Sequence, residues 1–129
     1  MISGMRCFIC ALTLWLAVVA ATAHAQTVDR LRTFADCAGR LSAVMEYQWM
    51  FDGAASEQTK AQRAAVIELI EAIMPQDAGR QVLHWRITAK QAQSALLTRA
   101  TFNDDPGDAA WAMQTAERFR AECTSMLLS

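Results

Sequence analysis

Beyond the apolar start of the chain, two cysteines (Cys37 and Cys123) and one histidine (His84) are the side chains best suited to nucleophilic, redox or metal chemistry. A cysteine hydrolase needs an imidazole base within reach of its thiol, and one histidine gives such a site little to draw on. Redox exchange favours a C-x-x-C pair or an exposed thiol of low pKa, and residues 26–129 contain no such pair. Covalent haem attachment requires C-x-x-C-H, whereas the segment after Cys123 reads CTSML. A haem held by Met and His across a bundle is disfavoured as well, because the last helical segment has no histidine.

His84 precedes Trp85 and Arg86, and no E-x-x-H motif accompanies it. Zinc and di-iron centres gather several imidazoles or carboxylates, so the simpler expectation is a partly buried, hydrogen-bonded histidine near a helix start. A metal or small-cofactor carrier using His84 with nearby Met or carboxylate side chains is the alternative. Met45, Met50, Met74, Met113 and Met126 are spread over the chain in the manner of core filling. Glu68 with Glu71, and Asp104 with Asp105, form acidic pairs, but acid–base work needs burial to separate their pKa values. A solvated helix face and a capping loop account for them.

The elements that position these residues begin with MISGMRCFICALTLWLAVVAATAHAQT, which has Arg6, an apolar run from Cys7 to Ala21, and a small-x-small site at Ala23-His24-Ala25. This predicts a secretory signal peptide over residues 1–25, cleaved before Gln26, with Cys7 and Cys10 lost alongside it. The run falls short of the roughly 20 residues that a membrane span requires, so no lasting membrane anchor is expected. Residues 26–129 then form one domain in the periplasm. The chain carries 12 Lys and Arg against 13 Asp and Glu, a balance that argues against binding nucleic acid.

Apolar residues recur at helical spacing and no strand pattern emerges. The first helix spans about residues 29–51, with Leu31, Phe34, Cys37 or Ala38, Leu41, Val44, Met45 and Gln48 on one side and Asp52-Gly53 as its stop. Ser56 offers the N-cap of a second helix that carries Ala64, Ile67, Ile70 and Met74 inward, widened by Val66 and Ile73, and Pro75 ends it. Asp77 can cap a third, extending to about Thr101 through Val82, Trp85, Ala89, Ala92, Leu96 and Ala100. Asp105 and Pro106 open a fourth that places Ala109, Ala112, Ala116, Phe119, Cys123 and Met126 on one face. Short connections favour antiparallel neighbours, so the expected fold is all-α, an up-down-up-down four-helix bundle.

In that arrangement Cys37, near the start of the first helix, meets Cys123, near the end of the last. An exported protein permits their disulfide. Closing so long a loop adds about 4.6 kcal/mol in the chain-entropy model. The opposite pole collects Tyr47, Trp49, Phe51, Phe102 and Trp111. These rings can plug the end of the core, which suits the average burial of Trp, or form an exposed surface for a protein partner or a small apolar ligand.

With FADCAGRLSAVMEYQ and AIMPQDAGRQVLHWRITAK placed, the chain resembles the short exported helical proteins of alphaproteobacteria, through Cys37, Gly39, Leu41, Pro75, Gly79 and Cys123. The resemblance implies a helical fold and an exported location, and it carries no catalytic residue across. The expected function is a non-enzymatic binding or interaction module with no cofactor.

Overall fold

The computed structural model describes residues 2–128, with side chains from residue 21 onward. The described residues contain four helices and no strand: α1 (Ile2–Phe51), α2 (Gly53–Ile73), α3 (Gly79–Thr101) and α4 (Pro106–Ser125). The chain divides into two compact units, residues 1–30 and 31–129. In the first, α1 is already helical, residues 21–30 are solvent-exposed, and Thr27 Oγ1 donates to the Ala23 carbonyl at 3.0 Å. The expected signal segment falls largely outside the residues whose side chains are described. Among the described residues, no helix is long and apolar enough to cross a membrane.

The second unit is built on the inward face of α1. Leu31, Ala35, Ala38, Leu41, Val44 and Met45 are buried at steps of three and four, the spacing that keeps side chains on one side of a helix. Leu31, Ala35, Ala38 and Leu41 share a core cluster with Val66 and Ile70 of α2, Val82 of α3 and Cys123 of α4. A second cluster joins Val44, Leu97 and Ala116. Cys37 and Cys123 lie within the first cluster at disulfide distance, their sulfurs 2.06 Å apart.

Polar contacts fix the packing at several levels. Arg63 Nε donates to Ser42 Oγ at 2.6 Å, and Ser42 Oγ donates onward to the Ala38 carbonyl at 2.8 Å. Thr59 Oγ1 donates to Gln48 Oε1 at 2.6 Å, and Lys90 Nζ donates to Glu46 Oε1 at 2.5 Å. Gly39 allows α1 to meet the backbone of α3. A Cβ built there would lie 2.1 Å from the Arg86 carbonyl oxygen and 3.0 Å from Lys90 N.

Several local expectations are corrected. Helix α1 does not begin near Asp29, being continuous from Ile2. Asp52 is the N-cap of α2, its carboxylate accepting from Ala55 N at 3.1 Å, so Asp52-Gly53 opens the next helix and Gly53 takes no left-handed cap. Ser56 is instead buried inside α2, donating to the Gly53 carbonyl at 2.6 Å. Helix α3 starts after Ala78 without a side-chain cap, so Asp77 does not serve. Asp105 does cap α4, accepting from Gly107 N and Asp108 N at 2.9 and 3.1 Å, with Pro106 in the first helical turn.

The buried face of α2 runs through Ser56, Thr59, Val66 and Ile70, which turns Ala64 outward. On α3 it runs through Val82, Ala89, Gln93 and Leu97, leaving Ala92 exposed. The alanine-rich middle of α3 is therefore filled by a glutamine. Gln93 is 1% exposed, and its Nε2 donates to the Ala116 carbonyl of α4 at 2.9 Å.

Candidate functional site

The aromatic residues near the ends of α1 and α3 and the start of α4 do not plug the core. Trp49 and Phe51 are each 59% exposed, Phe102 75% and Trp111 52%. Local geometry explains each departure. The inward stripe of α1 finishes at Gln48, whose amide is tied to Thr59, so the next residues extend past the last packed layer. Phe102 is the C-cap of α3. On α4 the inward position belongs to Ala112, and a neighbour about 100° away on the helix faces outward.

Two of the exposed rings, Phe51 and Trp111, stand on fixed supports. Tyr47 is half-buried, its hydroxyl lies 3.2 Å from Thr101 Oγ1 at the end of α3, and its ring packs on Phe51 with centroids 4.8 Å apart. Thr101 Oγ1 also donates to the Leu97 carbonyl at 2.8 Å, which leaves it free to accept from Tyr47. Across the α3–α4 turn, Arg99 Nε donates to Asp108 Oδ2 at 2.6 Å, and Arg99 Nη2 pairs with the other carboxylate oxygen. Asn103 Nδ2 donates to the same carboxylate. The Arg99 guanidinium lies 5.1 Å from the ring centre of Trp111. Hydrogen bonding from Arg99, joined by Asn103, holds the Asp108 carboxyl below the ordinary aspartate range.

Beside Tyr47, α1 and α3 leave an open cleft of about 260 Å³ lined by Ala43, Glu46, Tyr47, Met50, Ser94, Leu97 and Thr98. It is large enough for an apolar side chain, with a carboxylate at one edge. Comparison with protein-family models, curated proteins and solved structures finds no match to this chain. The reading of the site therefore rests on its own geometry.

The remaining residues expected to bear on chemistry separate. His84 is exposed on α3, not partly buried as expected from its place near a helix start. Among the described residues, no group of three His, Cys, Asp or Glu side chains could hold a metal ion. Glu68 and Glu71 both face solvent, and Asp104 and Asp105 lie exposed in the α3–α4 connection. Met50 joins the aromatic end, 66% exposed, and was missed because methionine spacing alone reads as core. Its position three and seven residues beyond Tyr47 and Ala43 on one helical face is the signal that places it in the cleft.

Proposed function

We propose that residues 31–129 form an exported interaction module that grips an apolar segment of a partner protein with its aromatic end, binding it without transforming it. The observation that carries this reading is the exposure of Trp49, Met50, Phe51, Phe102 and Trp111 near helix ends whose Tyr47 and Arg99 supports are already fixed. Large rings held in place lose little conformational freedom on binding, which is why Trp, Tyr and Arg dominate binding hot spots. The cleft beside Tyr47 offers a recess for one partner side chain, and the exposed rings supply the surrounding contact.

Export to the periplasm is part of the proposal, supported by the leader-like composition of residues 1–25 and by the burial of the two remaining cysteines at disulfide distance. So is an up-down-up-down arrangement of the helices. It is supported by the pairing of Ser42 with Arg63, Gln48 with Thr59, Gln93 with Ala116, and Cys37 with Cys123. Between α1 and α2 the later Gln48 meets the earlier Thr59 and the earlier Ser42 meets the later Arg63, and Arg99 near the end of α3 meets Asp108 near the start of α4.

Affinity capture from periplasmic extract, run in parallel with the Trp49→Ser/Phe51→Ser double variant, tests the function. A captured protein should be lost with the variant, and its binding should slow amide exchange over residues 47–51 and 102–111. Capture that survives the double variant, or protection confined to another face, would reject the aromatic end as the binding surface.

A further inference from the structure

Along α1, Arg32, Asp36 and Arg40 follow one another at four-residue steps, so they share one side of the helix. They form a wall of an open groove of about 210 Å³, to which α3 contributes Gln93 and α4 contributes Phe119. Both arginines lie against aromatic rings. The Arg40 guanidinium is 4.1 Å from the Phe119 ring centre, and that of Arg32 is 5.8 Å from Trp85. Contact through the flat face of a guanidinium leaves its in-plane N–H edge available for an anion.

Between the arginines, Asp36 is underused. Its nearest approach to Arg32 is 3.9 Å, too long for a hydrogen bond. Burial raises its carboxyl above the ordinary value, outweighing the opposing pull of Arg32 and Arg40. In the groove wall, Gln93 commits its Nε2 to the Ala116 carbonyl and leaves Oε1 buried with no hydrogen-bond partner. Reversing the amide would set two oxygens against each other, so the orphaned atom is the acceptor. An apolar side chain at position 93 would avoid that penalty.

We propose that this groove binds a free α-amino acid, its carboxylate on the edges of Arg40 and Arg32 and its ammonium between Asp36 and Gln93 Oε1. A simple anion meets Asp36, and a simple cation meets two arginines; a zwitterion of this size satisfies both signs. The ammonium reaches Oε1 after a side-chain rotation of Gln93 toward the groove. This site is separate from the aromatic end and does not depend on its role.

Calorimetric titration of the purified protein with each of the twenty amino acids, with propionate and propylamine as single-charge controls, tests the assignment. At least one amino acid should bind saturably, and each control at least about tenfold more weakly, a difference of about 1.4 kcal/mol. Arg40→Gln, Asp36→Asn and Gln93→Leu should each weaken that binding about tenfold or more. Asp36→Asn relieves a partly buried carboxylate without giving up a hydrogen bond of its own, so it should melt no lower than the parent, which separates lost binding from lost folding. Trp111→Ala should bind the amino acid as the parent does. No saturable binding by any amino acid, equal binding of propionate, or unchanged affinity in Asp36→Asn would each overturn the proposal.

Discussion

Arg99 grips Asp108 through two N–H donors, joining the last turn of α3 to the first turn of α4 across a connection of only four residues, 102–105. Because that pairing depresses the Asp108 carboxyl, its stabilisation is fully present above the ordinary value of 3.8 and is lost as pH falls through the lower folded value. Asp108→Asn should therefore melt at a lower temperature than the parent near neutral pH. The gap should narrow below pH 3.8, which thermal melts across that range will show.

Cys37 and Cys123 are buried and 86 residues apart in sequence. Replacing both with alanine removes the constraint on the unfolded chain and should lower stability by about 2–5 kcal/mol, measured by urea unfolding. In parent protein expressed into the periplasm of a bacterial host, the denatured chain should show no free thiol, with an intact mass that establishes whether Cys7 and Cys10 are still attached.

Gly39→Ala pits two effects against each other. Alanine gains about 1 kcal/mol over glycine within a helix. Here, though, the new methyl group would fall 2.1 Å from a backbone oxygen that cannot rotate away. Helices α1 and α3 must separate, so the variant should be net destabilised by about 1–3 kcal/mol. A stabilised variant would mean that the two helices do not meet at this point.

Trp111→Ala should change stability by no more than about 1 kcal/mol, the worth of an exposed contact with Arg99. A ring closing the core would cost about 3–5 kcal/mol on truncation. Urea unfolding of this single variant therefore separates an exposed surface from a plug.

The helical class and much of the core were legible because α1 and α4 bury apolar side chains at regular helical steps. Leu41, Val44, Ala112, Ala116 and Cys123 all fall where that periodicity puts them. On α2 the expected Val66, Ile67, Ile70, Ile73 and Met74 all pack on the core, and only Ala64 was misplaced, because part of the buried face is polar. Ser56 and Thr59 satisfy their hydroxyls on Gly53 and Gln48, so they enter the interior without the usual penalty, and the face rotates away from Ala64. Gln93 escaped notice for a related reason, since only the carbonyl of Ala116 opposite makes a buried amide there intelligible. The aromatic end was placed at the correct helix termini, while its environment was left open between a core plug and an exposed surface. Average burial of Trp describes a residue type, whereas exposure at Trp49 and Trp111 follows from where packing stops and which neighbour faces inward.

The contact at Gly39 works as a notch. Ala35 and Ala43, one turn away on the same side of α1, each carry a Cβ, so sliding α1 along α3 by one turn would drive a methyl group into the Arg86 carbonyl. The axial alignment of the two helices is thereby set by an absence of atoms. The same alignment brings Tyr47 level with Thr101 and sets the Arg32, Asp36 and Arg40 wall opposite Gln93. One missing methyl group thus sets the spacing of the aromatic end and the charged groove alike.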